Sequence, residues 1–393
     1  MSRSNDAGHF FQTSSALATT ERKDAKAKNK HGNPIRLPSK ILAVVHGGNE
    51  GAVYIAEAAG DVRRVVLETS EMKRIAPPAP APLTSLTVSA ATGTLYAGCW
   101  DKHIYNTSVD RRNPSATNIP KLVNGHTDFV KCLLATTLSG HPILLSGSAD
   151  AQIIVWDLAT GKPLHKLKGH TKAVQDLAID PLSLPEGSAE PAESFVLFTA
   201  SSDREIRQWH ISLASAYEVS ESLDKPILAH ETSVYRLRFD SDGDLWTASA
   251  DKTAKHLVRS RDWEADTVLQ HPDFVRDVVF AEQAGLVVTA CRDEEVRVWD
   301  ASSGDLVCVY SGHFEEVTGL VLVGGGKRVV SVSIDCTVRQ WSLEKGEMAR
   351  YIEEARKEAE DGSVAGQDGA EEGKSSMLTA EEEAELAELL EED

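Results

Sequence analysis

Long apolar runs are absent from this 393-residue chain, and without 18 consecutive apolar residues a membrane-spanning helix is excluded. Aromatic residues reach only 6% and hydrophobic residues 41%, a little under the usual globular share, so part of the chain is expected to lie outside a packed core. The five cysteines (Cys99, Cys132, Cys291, Cys308, Cys336) are scattered singly, with no Cys-x-x-Cys pair. That spacing argues against a disulfide framework and a structural zinc site, and reads as reduced core thiols. Residues 1–6, MSRSND, carry no apolar stretch of the kind a secretory signal needs. The expectation is a soluble intracellular protein of the cytoplasm, the nucleus or both.

Signatures of catalysis are missing too. There is no Gly-x-x-x-x-Gly-Lys-Ser/Thr, and Val323-Gly324-Gly325-Gly326-Lys327-Arg328 has the wrong spacing for one and reads as a hairpin turn. No His-Glu-x-x-His, Gly-x-Ser-x-Gly or EF-hand loop occurs. No catalytic, metal-binding or cofactor-binding residue is therefore assigned, and no enzyme is expected.

The charge, −19 overall, is unevenly placed. Residues 1–40 carry +5 and residues 353–393 carry −13, which leaves −11 for residues 41–352. Both ends are poor in apolar residues and read as disordered tails, a mildly basic one over 1–33 and an acidic one over 353–393. Within the latter, Thr379-Ala380-Glu381-Glu382 has capping-box spacing, and Leu386, Leu389 and Leu390 share one face of a short helix over 380–391. That helix either docks on a partner or belongs to a solubilising tail. The acidic balance argues against direct nucleic-acid or membrane binding and suits a protein partner, including a basic one.

What the sequence does have is a repeat. Residues 145–157 read LSGSADAQIIVWD, 198–210 FTASSDREIRQWH, 288–300 VTACRDEEVRVWD and 330–342 VSVSIDCTVRQWS. In each an Asp is followed six residues later by Trp: Asp150 and Trp156, Asp203 and Trp209, Asp293 and Trp299, Asp335 and Trp341. Short β-branched runs flank the Asp, as in a strand, a tight turn and a second strand. A His stands upstream in five units, as Gly125-His126, Gly169-His170, Ala229-His230, Gln270-His271 and Gly312-His313. The same ruler marks degenerate units at Asp61 with Leu67, Asp101 with Thr107 and Asp251 with Leu257. The closing positions 67, 107, 156, 209, 257, 299 and 341 lie 40 to 53 residues apart, the longest gap holding the Pro- and Ser-rich insertion 181–193.

With Gly-His upstream, Asp in the turn and Trp-Asp closing the unit, the chain resembles a WD-repeat β-propeller. The resemblance implies an all-β fold over residues 34–352, with seven four-stranded antiparallel blades and monomeric. Such rings borrow a last outer strand, here from Pro34–Leu37 or, alternatively, from Glu347–Ile352. The resemblance also implies that His, turn Asp, a strand Ser or Thr and Trp form one hydrogen-bonded network per blade, so these residues hold up the fold. The set comprises His126, Asp150 and Trp156 with Ser146 or Ser148; His170, Asp203 and Trp209; His230 and Asp251; His271, Asp293 and Trp299; and His313, Asp335 and Trp341 with Ser331 or Ser333.

In similar proteins, partners dock on the loop face, and three positions per repeat point there: either side of the first-strand Val and just before the turn Asp. These positions hold Phe129, Lys131 and Ala149; Ser233, Tyr235 and Ala250; Phe274, Arg276 and Arg292; and Trp100. Aromatic residues and Arg are the types enriched at interface hot spots. Trp100 with Phe129, and Tyr235 with Phe274, are expected on neighbouring blades, where they either contact a partner or pack on adjacent loops. The expected function is a non-catalytic interaction scaffold or adaptor. The alternative is an acidic chaperone for a basic client such as a ribosomal protein or histone. A ubiquitin-ligase substrate receptor is disfavoured, because Trp156-Asp157 and Trp299-Asp300 are followed by Leu158-Ala159 and Ala301-Ser302, without the Arg that marks that role.

Overall fold

Runs of mostly five to nine residues rich in Val, Ile and Leu, with a few outer strands of two or three, are broken by Asp- and Gly-containing turns and fold into seven separate four-stranded antiparallel sheets. The computed structural model describes residues 20, 22–24, 26–48, 51–109, 121–122, 125–185, 192–220 and 225–367. The inner strands of blades one to seven are Ile41–His46, Leu83–Ser89, Val130–Leu138, Val174–Ile179, Val234–Phe239, Val275–Ala281 and Val317–Val323. Each blade then meanders outward through consecutive strands.

Blade seven departs from that order. Its fourth strand is Ile35–Arg36, paired antiparallel with Thr337–Ser342 through Ile35–Val338 and Arg36–Thr337. The N-terminal segment thus closes the ring, and the rival Glu347–Ile352 lies inside a helix, Lys345–Gln367. That helix forms a compact unit of its own and runs into the region expected to be a disordered tail. The helix expected over 380–391 lies outside the described residues.

The basic segment 1–33, also expected as a tail, is ordered over its described portion. Residues 22–24 and 26–28 are helical. Lys26 is ion-paired with Glu294 at 2.9 Å and Glu295 at 2.7 Å, Arg22 with Glu294 at 2.8 Å, and Lys23 with Glu315 at 2.7 Å. Between this helical stretch and the closing strand, Gly32 crosses the face of Trp341 at φ +69°, where an added Cβ would come within 2.8 Å of the ring. Only glycine meets both conditions.

The apolar faces of adjacent blades pack together between the sheets. One core joins blades three and four through Leu145, Val155, Val174, Leu177 and Trp209, and equivalent cores join blades one and two, two and three, four and five, and five and six. A further core, around Ile41, Val44, Val330 and Val332, joins blade seven back to blade one. All five cysteines are free, and four are buried. Burial pushes the Cys99 and Cys291 thiols up to about 12, so they remain protonated and inert.

Every inner strand carries a register shift between its first and third residues, as at Val130/Cys132, Val234/Arg236 and Val275/Asp277. Such a bulge re-aims the side chains beside it. Here the residues on either side of the first Val stand at the loop end of the ring.

Candidate partner-binding face

The loop end is built on the turn aspartates. In blade three, His126 Nδ1 lies 3.1 Å from Asp150, while Nε2 lies 2.7 Å from the Ser146 hydroxyl. Trp156 Nε1 donates to that same hydroxyl at 2.8 Å. Asp150 also accepts from the backbone N–H groups of Thr127 at 2.8 Å and Gln152 at 3.0 Å. One carboxylate therefore ties the inter-blade loop to the turn. Burial raises its proton affinity, but the His126 and backbone hydrogen bonds outweigh it and hold the carboxyl down at about 2. The second serine, Ser148, accepts from Asp150 N–H and donates to the Asp128 carbonyl.

The pattern repeats with small changes. Blade four links His170 to Asp203 at 2.9 Å and to Thr199 at 2.8 Å, with Trp209 donating to Thr199 at 2.9 Å. Blade seven does the same with His313, Asp335, Ser331 and Trp341. In blade five, His230 bonds Asp251 at 2.8 Å and Thr247 at 2.7 Å, and Leu257 takes the Trp position opposite Leu245. The glycine before His has a steric reason. At Gly125, Gly169 and Gly312 an added Cβ would come within 2.9 Å of Trp156, Trp209 and Trp341 respectively. Where Leu257 replaces Trp, Ala229 fits instead.

Blade six differs from the expected arrangement. His271 bonds Thr289 at 2.8 Å, but its Nδ1 faces the Leu269 carbonyl at 3.1 Å rather than Asp293. Arg297 takes both oxygens of Asp293, at 3.0 and 2.6 Å, which leaves the imidazole no carboxylate. Burial, followed by the charge on Arg297, brings His271 down to about 4. Blades one and two have no such histidine. There Asp61 pairs with Arg63 and Arg74, each at 2.9 Å, and Asp101 accepts from the Tyr105 hydroxyl and the His103 N–H.

On this scaffold stand the large and charged candidates for the face: Trp100, Phe129, Lys131, Tyr235, Phe274, Arg276 and Arg292. Trp100 and Phe129 come from neighbouring blades and stack, with ring centroids 5.0 Å apart and planes 16° apart; they remain 42% and 36% exposed, a projecting aromatic pair. Tyr235 does not meet Phe274. Each ring instead carries a guanidinium, Arg276 at 4.3 Å over Tyr235 and Arg292 at 5.2 Å over Phe274. Arg276 is further held by Glu316 of blade seven at 2.6 Å. Lys131 is half-buried, and burial together with the Arg276 charge lowers its pKa.

Below this rim lies a set the sequence did not single out. Arg236 of blade five reaches Asp277 of blade six at 3.1 Å and Asp176 of blade four at 3.4 Å, and Arg238 reaches Asp176 at 3.1 Å. The same carboxylates accept neighbouring backbone N–H groups: Leu237 on Asp176 at 3.0 Å and Leu320 on Asp277 at 2.9 Å. The signal is present in Val174-Gln175-Asp176, Val234-Tyr235-Arg236 and Val275-Arg276-Asp277, where a charge falls two residues past the first-strand Val.

The fold and the recurring Asp-centred hubs define a seven-bladed propeller of the repeat type. WD-domain repeats match residues 222–256, 264–300 and 304–342, and the tRNA methyltransferase TRM82 WD40 domain matches residues 100–227. The chain is 32% identical to an uncharacterized WD repeat-containing protein of Schizosaccharomyces pombe, over 99% of both chains, and it belongs to the WD-repeat family. It is also 27% identical to the nuclear distribution protein PAC1 of Coccidioides posadasii, covering 60% of this chain and 63% of that one. Pre-mRNA-processing factor 19 of Bos taurus is 25% identical over 79% of this chain. The chain spans less than two thirds of the length of those last two relatives. The solved WD40 propeller domain of Doa1 has the same fold, with a TM-score of 0.64 at 20% identity over 81% of this chain and 98% of that one.

Proposed function

We propose that the chain is a non-catalytic interaction subunit that holds a protein partner on its loop face. The supporting observation is the exposed Trp100–Phe129 stack beside the Tyr235–Arg276 and Phe274–Arg292 pairs, anchor types that carry binding energy when desolvated. The match of residues 100–227 to a tRNA methyltransferase WD40 domain favours, as a narrower reading, a subunit of a tRNA-methylating assembly.

The test is partner capture from extract with full-length protein, its W100A/F129A variant and its F274A/R276A variant, washed at low and high salt. The expected result is a partner retained at high salt by the wild type and lost by a variant whose melting temperature is unchanged. Methylation of tRNA by the captured material supports the narrower reading. A basic client released by salt alone points instead to an acidic chaperone. Retention of every partner by both folded variants overturns the proposal.

A further inference from the structure

An acidic chain suggests a basic partner, yet its loop face carries a set of exposed, unpaired cations. The residue after the turn Asp is Lys102 in blade two, Arg204 in blade four and Lys252 in blade five, each with positive φ (75°, 71° and 70°). The Asp carboxylate stabilises that conformation by accepting the N–H two residues on, as Asp203 does from Glu205 and Asp251 from Thr253. The cations are thereby carried on fixed turns at the rim. Lys172 joins them from the loop entering blade four, next to Thr171, whose N–H is held by Asp203 at 2.8 Å. All four side chains are exposed, and none has an ion-pair partner among the described residues. Arg276 and Arg292 extend the set to blade six. Of the acids nearby, Glu316 is held by Arg276, Glu315 by Lys23, and Glu294 and Glu295 by Lys26, while Glu231 and Asp128 stand on the same face without an ion pair among the described residues.

Resting on the reading of this face as the docking surface, we propose that its partner presents an acidic protein segment, with carboxylates meeting Lys102, Lys172, Arg204 and Lys252 around the aromatic anchors. A nucleic acid has the same sign but fits less well. The exposed rings are already engaged, Trp100 with Phe129 and the other two with arginines, so few faces are left for bases to stack on. A long polyanion also meets the field of a chain of charge −19, whereas a short segment feels chiefly the cations within a Debye length, about 8 Å at physiological salt.

The full-length protein and its K102E/K172E/R204E/K252E variant are titrated with a labelled short oligoglutamate peptide and, separately, with poly(U) RNA at physiological salt. The expected result is oligoglutamate binding by the wild type that weakens at least tenfold in the folded variant, with poly(U) bound more weakly. Equal oligoglutamate binding by both proteins, or a preference for poly(U) that depends on the four residues, overturns the inference. Partner capture by the same charge-reversed variant separates the two readings. A partner kept by it but lost by W100A/F129A leaves the docking face standing and removes only the acidic segment.

Discussion

A single aspartate does several jobs in each regular blade. It accepts from an imidazole, from the inter-blade loop and from the turn that follows, and in doing so fixes the backbone that displays the rim residues. Blade six shows the consequence of giving that carboxylate to a different donor. With Arg297 on Asp293, His271 is a buried neutral imidazole brought down to about 4 from the usual 6.5. Native protein resists protonating it, while the unfolded chain takes up the proton near pH 6.5. Stability is therefore complete above that pH and falls as the pH drops toward 4, by up to about 3 kcal/mol from this residue. The H271Q variant should lose one proton's share of that slope when urea stability is measured from pH 7 to pH 4. An unchanged slope would show that His271 is not held neutral. His230 and His313, also lowered by burial, contribute to the slope that remains, as do turn aspartates such as Asp150 that are held below the usual carboxylate range.

Among elements, the strongest sequence signals are those with a steric or hydrogen-bonding origin. The Asp-to-Trp spacing marks strand, turn and strand because both residues converge on one hydroxyl network. The closing strand at Ile35–Arg36 is one of two segments the sequence leaves open, and the resemblance to rings that borrow a last outer strand, not a local pattern, brings it forward. The exchange at Asp293 is not legible. An Arg also stands four residues after the Asp in blades four and seven, where Arg207 turns to Glu205 and Glu218, and Arg339 to the His31 carbonyl. The choice between these outcomes depends on outer-strand partners that no local pattern reveals. The helical segment ahead of the closing strand is equally hidden, since its lysines find Glu294, Glu295 and Glu315 only after the ring has formed. Gly32 is the tight point of that latch. G32A should cost about 1–3 kcal/mol, combining backbone strain with a clash against Trp341. G325A is the control, since Gly325 has φ +66° but open space around its Cβ, so it carries the backbone cost alone. Equal losses in the two melting curves would mean that the Trp341 contact relaxes freely.

For the whole ring, the question is what resists opening at the centre, where the sheets meet only by their inner strands. Hydrophobic packing between blades supplies cohesion without specifying alignment. The Asp176–Arg236–Asp277 chain adds directional contacts across blades four, five and six, and the backbone bonds to Leu237 and Leu320 extend it to blade seven. Single charges on the inner strands of consecutive blades lie about 40 to 60 residues apart in the sequence, and only ring closure brings them together. Arg236 is half-buried between two acids, and their charges more than offset its desolvation, raising its pKa well above the usual value. Removing it strands two buried carboxylates. R236M should therefore cost about 3–5 kcal/mol in urea unfolding, moderated to the extent that Arg238 takes over. The triple variant R236M/D176N/D277N tests the mechanism, because neutralising the acids removes the stranded charge while keeping amide acceptors for Leu237 and Leu320. It should recover a substantial part of the loss. If instead it is no more stable than R236M alone, the arginine contributes through packing, and charge alignment across the blades is not what holds the centre of the ring.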